Sequence, residues 1–195
     1  RRVVGMKPVA AGCADDGIHD DARQLHAVSN VLVGMGQINP YCFAKAVAPH
    51  LAAQSAEVII KLERVVESYT ELAEQADVVI VEGAGGFVVP LNADQDSADL
   101  VVQLGLPIIL VVGMRLGCLN HALLTVEAID ARGLTLAGWV ANVLDEDIEM
   151  LDGNIAALQQ RISAPLLGVV PYQRRLDVVY AASCLNLRAL AQGAA

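Results

Sequence analysis

Aromatic residues are scarce, at 4% of the chain, with one Trp, two Phe and four Tyr. A β-sandwich core would be expected to hold more of them. Lysine is rarer still: only Lys7, Lys45 and Lys61 occur, and none follows a glycine. The phosphate-binding pattern G-x-x-x-x-G-K-[ST] is therefore missing, so the chain as it stands lacks a complete nucleoside triphosphate cradle. No basic run extends beyond Arg1-Arg2 and Arg174-Arg175, which excludes an evident nucleic-acid face. The four cysteines, Cys13, Cys42, Cys118 and Cys184, form no C-x-x-C and no Cys/His cluster. Zinc and a disulfide framework are not expected, and a reducing, cytoplasmic setting is the simplest reading. The longest apolar run, near Leu106–Val112, is too short to span a bilayer, and no signal peptide opens the chain. Gly-x-Ser-x-Gly is absent, and Gly83–Val88 does not complete a dinucleotide fingerprint. The sequence begins at Arg1 without Met and enters a strand at once. An amino-terminal piece is therefore expected to be missing.

What remains is 195 residues, 55% of them hydrophobic and rich in Ala and Val, with a net charge of −9. This suits one α/β domain, 1–195, built as a parallel sheet packed by helices. The acidic balance favours solubility.

The most informative stretch is Asp77–Gly86, DVVIVEGAGG. Val78 to Val81 are β-branched and unbroken, as in a parallel strand buried on both faces. A carboxylate, Glu82, stands where that strand surfaces, and Gly83, Ala84, Gly85 and Gly86 follow. In open α/β sheets the ligand crevice lies outside such strand ends. The stretch reads either as a metal-phosphate site or as a tight turn with a solvated Glu.

In chain order, Val3–Val9 reads as a strand ending about Pro8, which cannot donate to a ladder. Ala10–Gly17 reads as a loop, and a helix follows that Asp20 or Asp21 could cap. Asn39-Pro40-Tyr41 marks a turn. Helical spacing covers Pro49–Gln54, Val58–Gln75, a segment started by Asp94 or Asp96 and ending at Leu104, Leu119–Ala131 and Ile148–Ile162. Apolar runs at Pro107–Val112, Thr135–Val143 and Leu166–Val170 read as strands, the first two of them buried. Val178–Leu190 is expected to be partly helical. Strands alternating with helices imply right-handed crossovers and a mostly parallel sheet.

The carboxyl ends of such strands would share one edge and bring Lys7, Glu82, Gly113, Asn142 and Pro171 to it. Asp21 would reach it from the loop after the first strand. Asp21 and Glu82 could hold Mg²⁺ with a nucleotide's phosphates. Lys7 could neutralise oxygens of a transferring phosphoryl group or an anionic substrate. Asn142 could accept from and donate to a purine edge. Each has a plainer reading: an exposed lysine, a helix cap, a solvated Glu, a turn asparagine. His50 and His121 read as packing or surface residues.

Seven segments occur in a telling order: MKPVAAG (6–12), NPYCF (39–43), APHL (48–51), VEGAGG (81–86), LGCLNHA (116–122), GWVAN (138–142) and PLLGVVP (165–171). Together they resemble the ATP-dependent dethiobiotin synthetases, from Arg2 to about Pro171. The resemblance implies a P-loop NTPase-like, three-layer α/β fold. It also implies that the family's first strand, P-loop and first helix are missing here, so the chain alone should transfer little phosphate. A homodimer with sites at the subunit interface is implied too. The implied substrates are 7,8-diaminononanoate, CO₂ and ATP with Mg²⁺. A carbamate forms, ATP phosphorylates it, and the second amine closes the cyclic urea.

By that resemblance Lys7 is the catalytic lysine, and Asp21 and Glu82 are the metal and nucleotide carboxylates. Gly83, Ala84 and Gly85 form the nucleotide turn. Asn142 and Val143 take the adenine-reading position, and Pro171, Tyr172 and Gln173 form a nucleotide-contacting loop. Cys118, Leu119 and Asn120 form a helix start that receives the substrate carboxylate. Ala11 stands where the family often has a substrate-contacting serine, so one hydrogen bond is lost or passes to backbone or water. The rival readings are an ATPase of the partition or cobyrinate-amidating kind and a non-catalytic relative. Lys7-Pro8 with Cys118–Asn120 argues against the first.

Overall fold

The structure is a computed structural model that describes residues 1–175 and 177–191. Backbone contacts divide the chain into two compact units, Arg1–Leu104 and Gly105–Ala195.

In the first unit β1 (Val3–Met6) runs parallel to β4 (Val78–Val81), with Val3 opposite Val78 and Met6 opposite Val81. The strand expected over Val3–Val9 is two strands. Lys7 N–H leaves the β1 direction to donate to the Ile38 carbonyl, and Pro8 has no N–H to offer. The chain resumes as β2 (Val9–Ala11), parallel to β3 (Tyr41–Phe43). Neither β2 nor β3 was expected, since three-residue strands carry too little periodicity to stand out. Buried Asn39 holds this junction, its Nδ2 donating to the carbonyls of Lys7 and Tyr41.

Helices α1 (Asp20–Val28), α2 (Met35–Ile38), α3 (Pro49–Ser55), α4 (Leu62–Gln75) and α5 (Ser97–Leu104) complete this unit. Leu62, Val65 and Leu72 recur on the buried face of α4 and join Val4, Met6 and Ile38 in one core. Helix α4 starts at Leu62, four residues later than its spacing suggested. Asp96 starts α5 by accepting from Ala98 and Asp99 N–H. Strand β4 is not buried on both faces: Ile80 is half exposed. Among the described residues β4 pairs with β1 alone.

In the second unit β5 (Ile108–Met114), β6 (Leu136–Val143) and β7 (Leu166–Val170) form a parallel sheet in that order. Central β6 carries the fully buried Trp139. Helices α6 (Cys118–Ala131) and α7 (Leu151–Gln159) supply Ala122, Ile155 and Leu158 to the same core. Strand β5 departs from the buried reading, since Ile109 and Val111 are exposed. It pairs on one side only among the described residues. Beyond β7, α8 (Val178–Ser183) and a 3₁₀ turn (Leu187–Ala191) bear out the partly helical expectation.

All three sheets pair their strands in parallel and are flanked by helices, as the alternation of strands and helices implied. One expectation about the cysteines fails: Cys13 and Cys42 form a disulfide. They lie 29 residues apart in sequence, and only the β2–β3 pairing brings them together. Cys118 and Cys184 are free thiols. No described helix is long and apolar enough to cross a membrane.

Candidate active site

Strand register builds the centre of the site. Met6 and Val81 are paired, and Glu82 N–H donates to the Met6 carbonyl at 2.8 Å. The next residues, Lys7 and Glu82, therefore emerge side by side. Lys7 is only 5% exposed, and a buried ammonium is costly unless paired. Its Nζ lies 2.8 Å from Glu82 Oε1, 2.8 Å from Asp21 Oδ2 and 2.9 Å from the Gly83 carbonyl oxygen. Three acceptors thus match the three donors of the ammonium.

Asp21 reaches this point because it is not the helix cap. His19 takes that position, its Nδ1 accepting from Asp21 N–H at 3.2 Å. The cap reading of Asp20 or Asp21 is corrected: both lie in the first turn of α1, and the Asp21 carboxylate is left for Lys7. The hydrogen bond from Lys7 holds the Asp21 carboxyl below the usual aspartate range; partial burial opposes this, and the lysine's charge adds to it.

An open cavity of about 420 Å³ lies against these groups. Lys7 and Asp21 give it its charge, His19 lines it beside them, and Ala10 and Ala11, Val47–Pro49, and Ala84 and Gly85 shape it. Gly85 adopts φ +79°, a conformation that favours glycine, and turns the loop at the cavity wall. At Gly83 a Cβ would meet nothing within 4 Å, so the space beside that backbone is open. A second hollow, of about 350 Å³ around Gly34, Arg64 and Glu71, shares no residue with this one.

The second unit assembles the other expected group. Gly113, Asn142 and Val170 stand in register across β5, β6 and β7. Asn142, Val143 and the segment Pro171-Tyr172-Gln173 therefore share the carboxyl edge of one sheet. Gln173 is engaged locally, its Oε1 accepting from Asp177 N–H, while Asp177 caps α8 through Val179 and Tyr180 N–H. An aspartate directly before VVYAAS is the local signal for that cap. Helix α6 begins at Cys118, whose side chain is buried and whose N–H donates to the Arg115 carbonyl at 3.0 Å.

His19 was missed as a lining and capping residue. The signal was its place two residues before a candidate ligand at a helix start.

The profile of the AAA domain family matches residues 1–179. An ATP-dependent dethiobiotin synthetase of Aromatoleum aromaticum is 54% identical over 96% of this chain and 84% of its own length. Its counterpart from Nitrosospira multiformis is 50% identical over 96% of the chain and 82% of its own length. The chain belongs to the AAA domain family and, within it, to the ATP-dependent dethiobiotin synthetases. Among solved structures, a ParA family ATPase of Chlorobium tepidum TLS superposes with a TM-score of 0.51 at 13% identity, covering 99% of this chain and 78% of that one. That likeness concerns the fold.

Three of the seven motifs quoted above supply residues at the cavity. MKPVAAG supplies Lys7, Ala10 and Ala11, APHL supplies Ala48 and Pro49, and VEGAGG supplies Ala84 and Gly85 to the lining and Glu82 to the Lys7 ion pair. The donor set also suits the metal expected for such an enzyme. Asp21 and Glu82 converge on one ammonium, so two hard carboxylates share a small space, as a Mg²⁺–phosphate site requires.

Proposed function

We propose that this protein is a dethiobiotin synthetase, a cyclo-ligase that joins 7,8-diaminononanoate and CO₂ at the expense of ATP. The observation that carries the reading is the buried Lys7 ammonium between Asp21 and Glu82 on a cavity wall. A carbamate and a phosphoryl group are both anionic, and they need a fixed cation at their oxygens. Lys7 supplies one that is already desolvated and oriented.

The reaction has three parts. CO₂ adds to one amine of the substrate and gives a carbamate. The terminal phosphoryl of ATP passes to the carbamate oxygen. The second amine then attacks the carbonyl carbon, phosphate leaves, and the cyclic urea closes. Lys7 donates to the carbamate oxygens and to the oxygens of the moving phosphoryl group. Asp21 and Glu82 would hold Mg²⁺, which supplies charge neutralisation for the nucleotide's phosphates. Gly83–Gly85 lie along the nucleotide, and Asn142 with Val143 and Pro171–Gln173 take the purine. Leu119 and Asn120 N–H, with Cys118 packed beneath them, receive the substrate carboxylate in a homodimer. Ala11 leaves one substrate contact to backbone or water. The cytoplasm, where these substrates would be found, is the proposed location.

The test is incubation of the protein, expressed from its gene's full reading frame, with diaminononanoate, bicarbonate, Mg²⁺ and ATP. Dethiobiotin and ADP should appear in equal amounts. ATP turnover without dethiobiotin would favour an ATPase of the partition or cobyrinate-amidating kind.

A further inference from the structure

The reaction makes no use of the cross-link beside its cavity. Cys13 and Cys42 are joined with their Cα atoms 6.2 Å apart. Cys42 lies in β3 opposite Ala10 of β2, and Cys13 lies two residues past the end of β2. The N–H groups of Gly12 and Cys13 both donate to the Phe43 carbonyl, at 2.8 and 3.0 Å. Ala10 and Ala11 form one wall of the Lys7 cavity, and Val47–Pro49, shortly after β3, form another. The two segments approach closely: a Cβ on Gly12 would stand 3.0 Å from the Ala46 Cβ. The disulfide therefore clasps the two strands from which both walls extend. It also closes the ring of chain that carries His19, Asp21 and Asn39. Cys13 and Cys42 are partly exposed, whereas the free thiol of Cys118 is buried. A small reagent can reach the pair.

We propose that Cys13 and Cys42 are a reversible thiol–disulfide modification site that fastens the cavity's rim when oxidised and releases it when reduced. The oxidant is a low-molecular-weight disulfide of the glutathione class. One cysteine thiolate attacks it, forming a mixed disulfide and expelling one thiolate. The second cysteine attacks the mixed disulfide, forming the internal bond and expelling the other. Two protein thiols are oxidised, one external disulfide is reduced to two thiols, and the steps run backward in excess reduced glutathione. This inference does not depend on which substrate the cavity takes.

The test equilibrates the wild-type protein with oxidised or reduced glutathione, quenches with acid, denatures, and counts alkylated cysteines by mass spectrometry. Two alkylated positions, Cys118 and Cys184, are expected after oxidised glutathione, and all four after reduced glutathione. Hydrogen exchange follows on both forms. The Gly12 and Cys13 amides should exchange at least tenfold more slowly in the oxidised form. C13S/C42S should exchange like the reduced form in either buffer; if that variant does not fold, the wild-type pair of measurements decides. Alkylation at all four positions after oxidised glutathione would overturn the proposal. So would a bond that reduced glutathione cannot open, or equal exchange in the two forms.

Discussion

At the scale of single residues, the proposed chemistry concentrates on Lys7. Replacing it with alanine removes the only buried cation at the cavity among the described residues, and kcat should fall by about 10²–10³-fold, as for loss of a positioned donor. Steady-state assays of Lys7→Ala beside an unfolding curve check this; turnover near wild type would contradict the assignment. Glu82→Gln keeps the shape of the side chain but not its charge. The Mg²⁺ concentration giving half-maximal activity should rise several-fold, and an unchanged titration would argue against ligation. Asp21 makes a prediction about acid. Its folded pKa lies below the ordinary value, so its pairing with Lys7 stabilises the fold above the usual aspartate range, about pH 3.9. That contribution is lost as pH falls through the lower folded value. Asp21→Asn should therefore lose stability relative to wild type at pH 6, and the difference should shrink as the pH falls below the usual aspartate range, as measured by urea midpoints.

Elements hold these residues in place, and here the sequence was only partly legible. The long periodic segments, α4 and α6 among them, and the apolar runs of β6 and β7 could be read from spacing. So could the emergence of Lys7 and Glu82 at strand ends, because a charge closing a β-branched run marks where a strand surfaces. The β2–β3 pair could not be read, and with it the disulfide stayed hidden. Its pairing is held by Asn39, whose hydrogen bonds no spacing rule predicts. The degree of burial of β4 and β5 was also misread, since composition does not say what covers a strand's second face. The α1–β1 contact is open to a direct test. A Cβ on Gly5 would lie 2.7 Å from Leu25 Cδ2 and 2.8 Å from Leu25 Cβ. Gly5→Ala should push α1 outward, at a cost of about 1–3 kcal/mol in chemical denaturation, and carry Asp21 away from Lys7.

At the scale of the whole molecule, the chain carries −9 net charge, with no basic run beyond two arginine pairs. It should show no retardation of duplex DNA in a gel at physiological salt, whereas a partition-type relative acting on DNA would. The homodimer proposed above should sediment at twice the monomer mass. A monomer at micromolar concentration would remove the shared substrate seat from the proposal.

The side-by-side emergence of Lys7 and Glu82 follows from one alignment, Met6 against Val81. Strands have a side-chain period of two, so sliding β4 by a single residue would turn its entire outward set inward. The carboxylate would then leave the ammonium stranded in an apolar interior. A misaligned chain is thereby penalised twice, once in its packing and once by an unneutralised charge. The same pair of residues proposed to meet the substrate also proofreads the folding of the sheet beneath it.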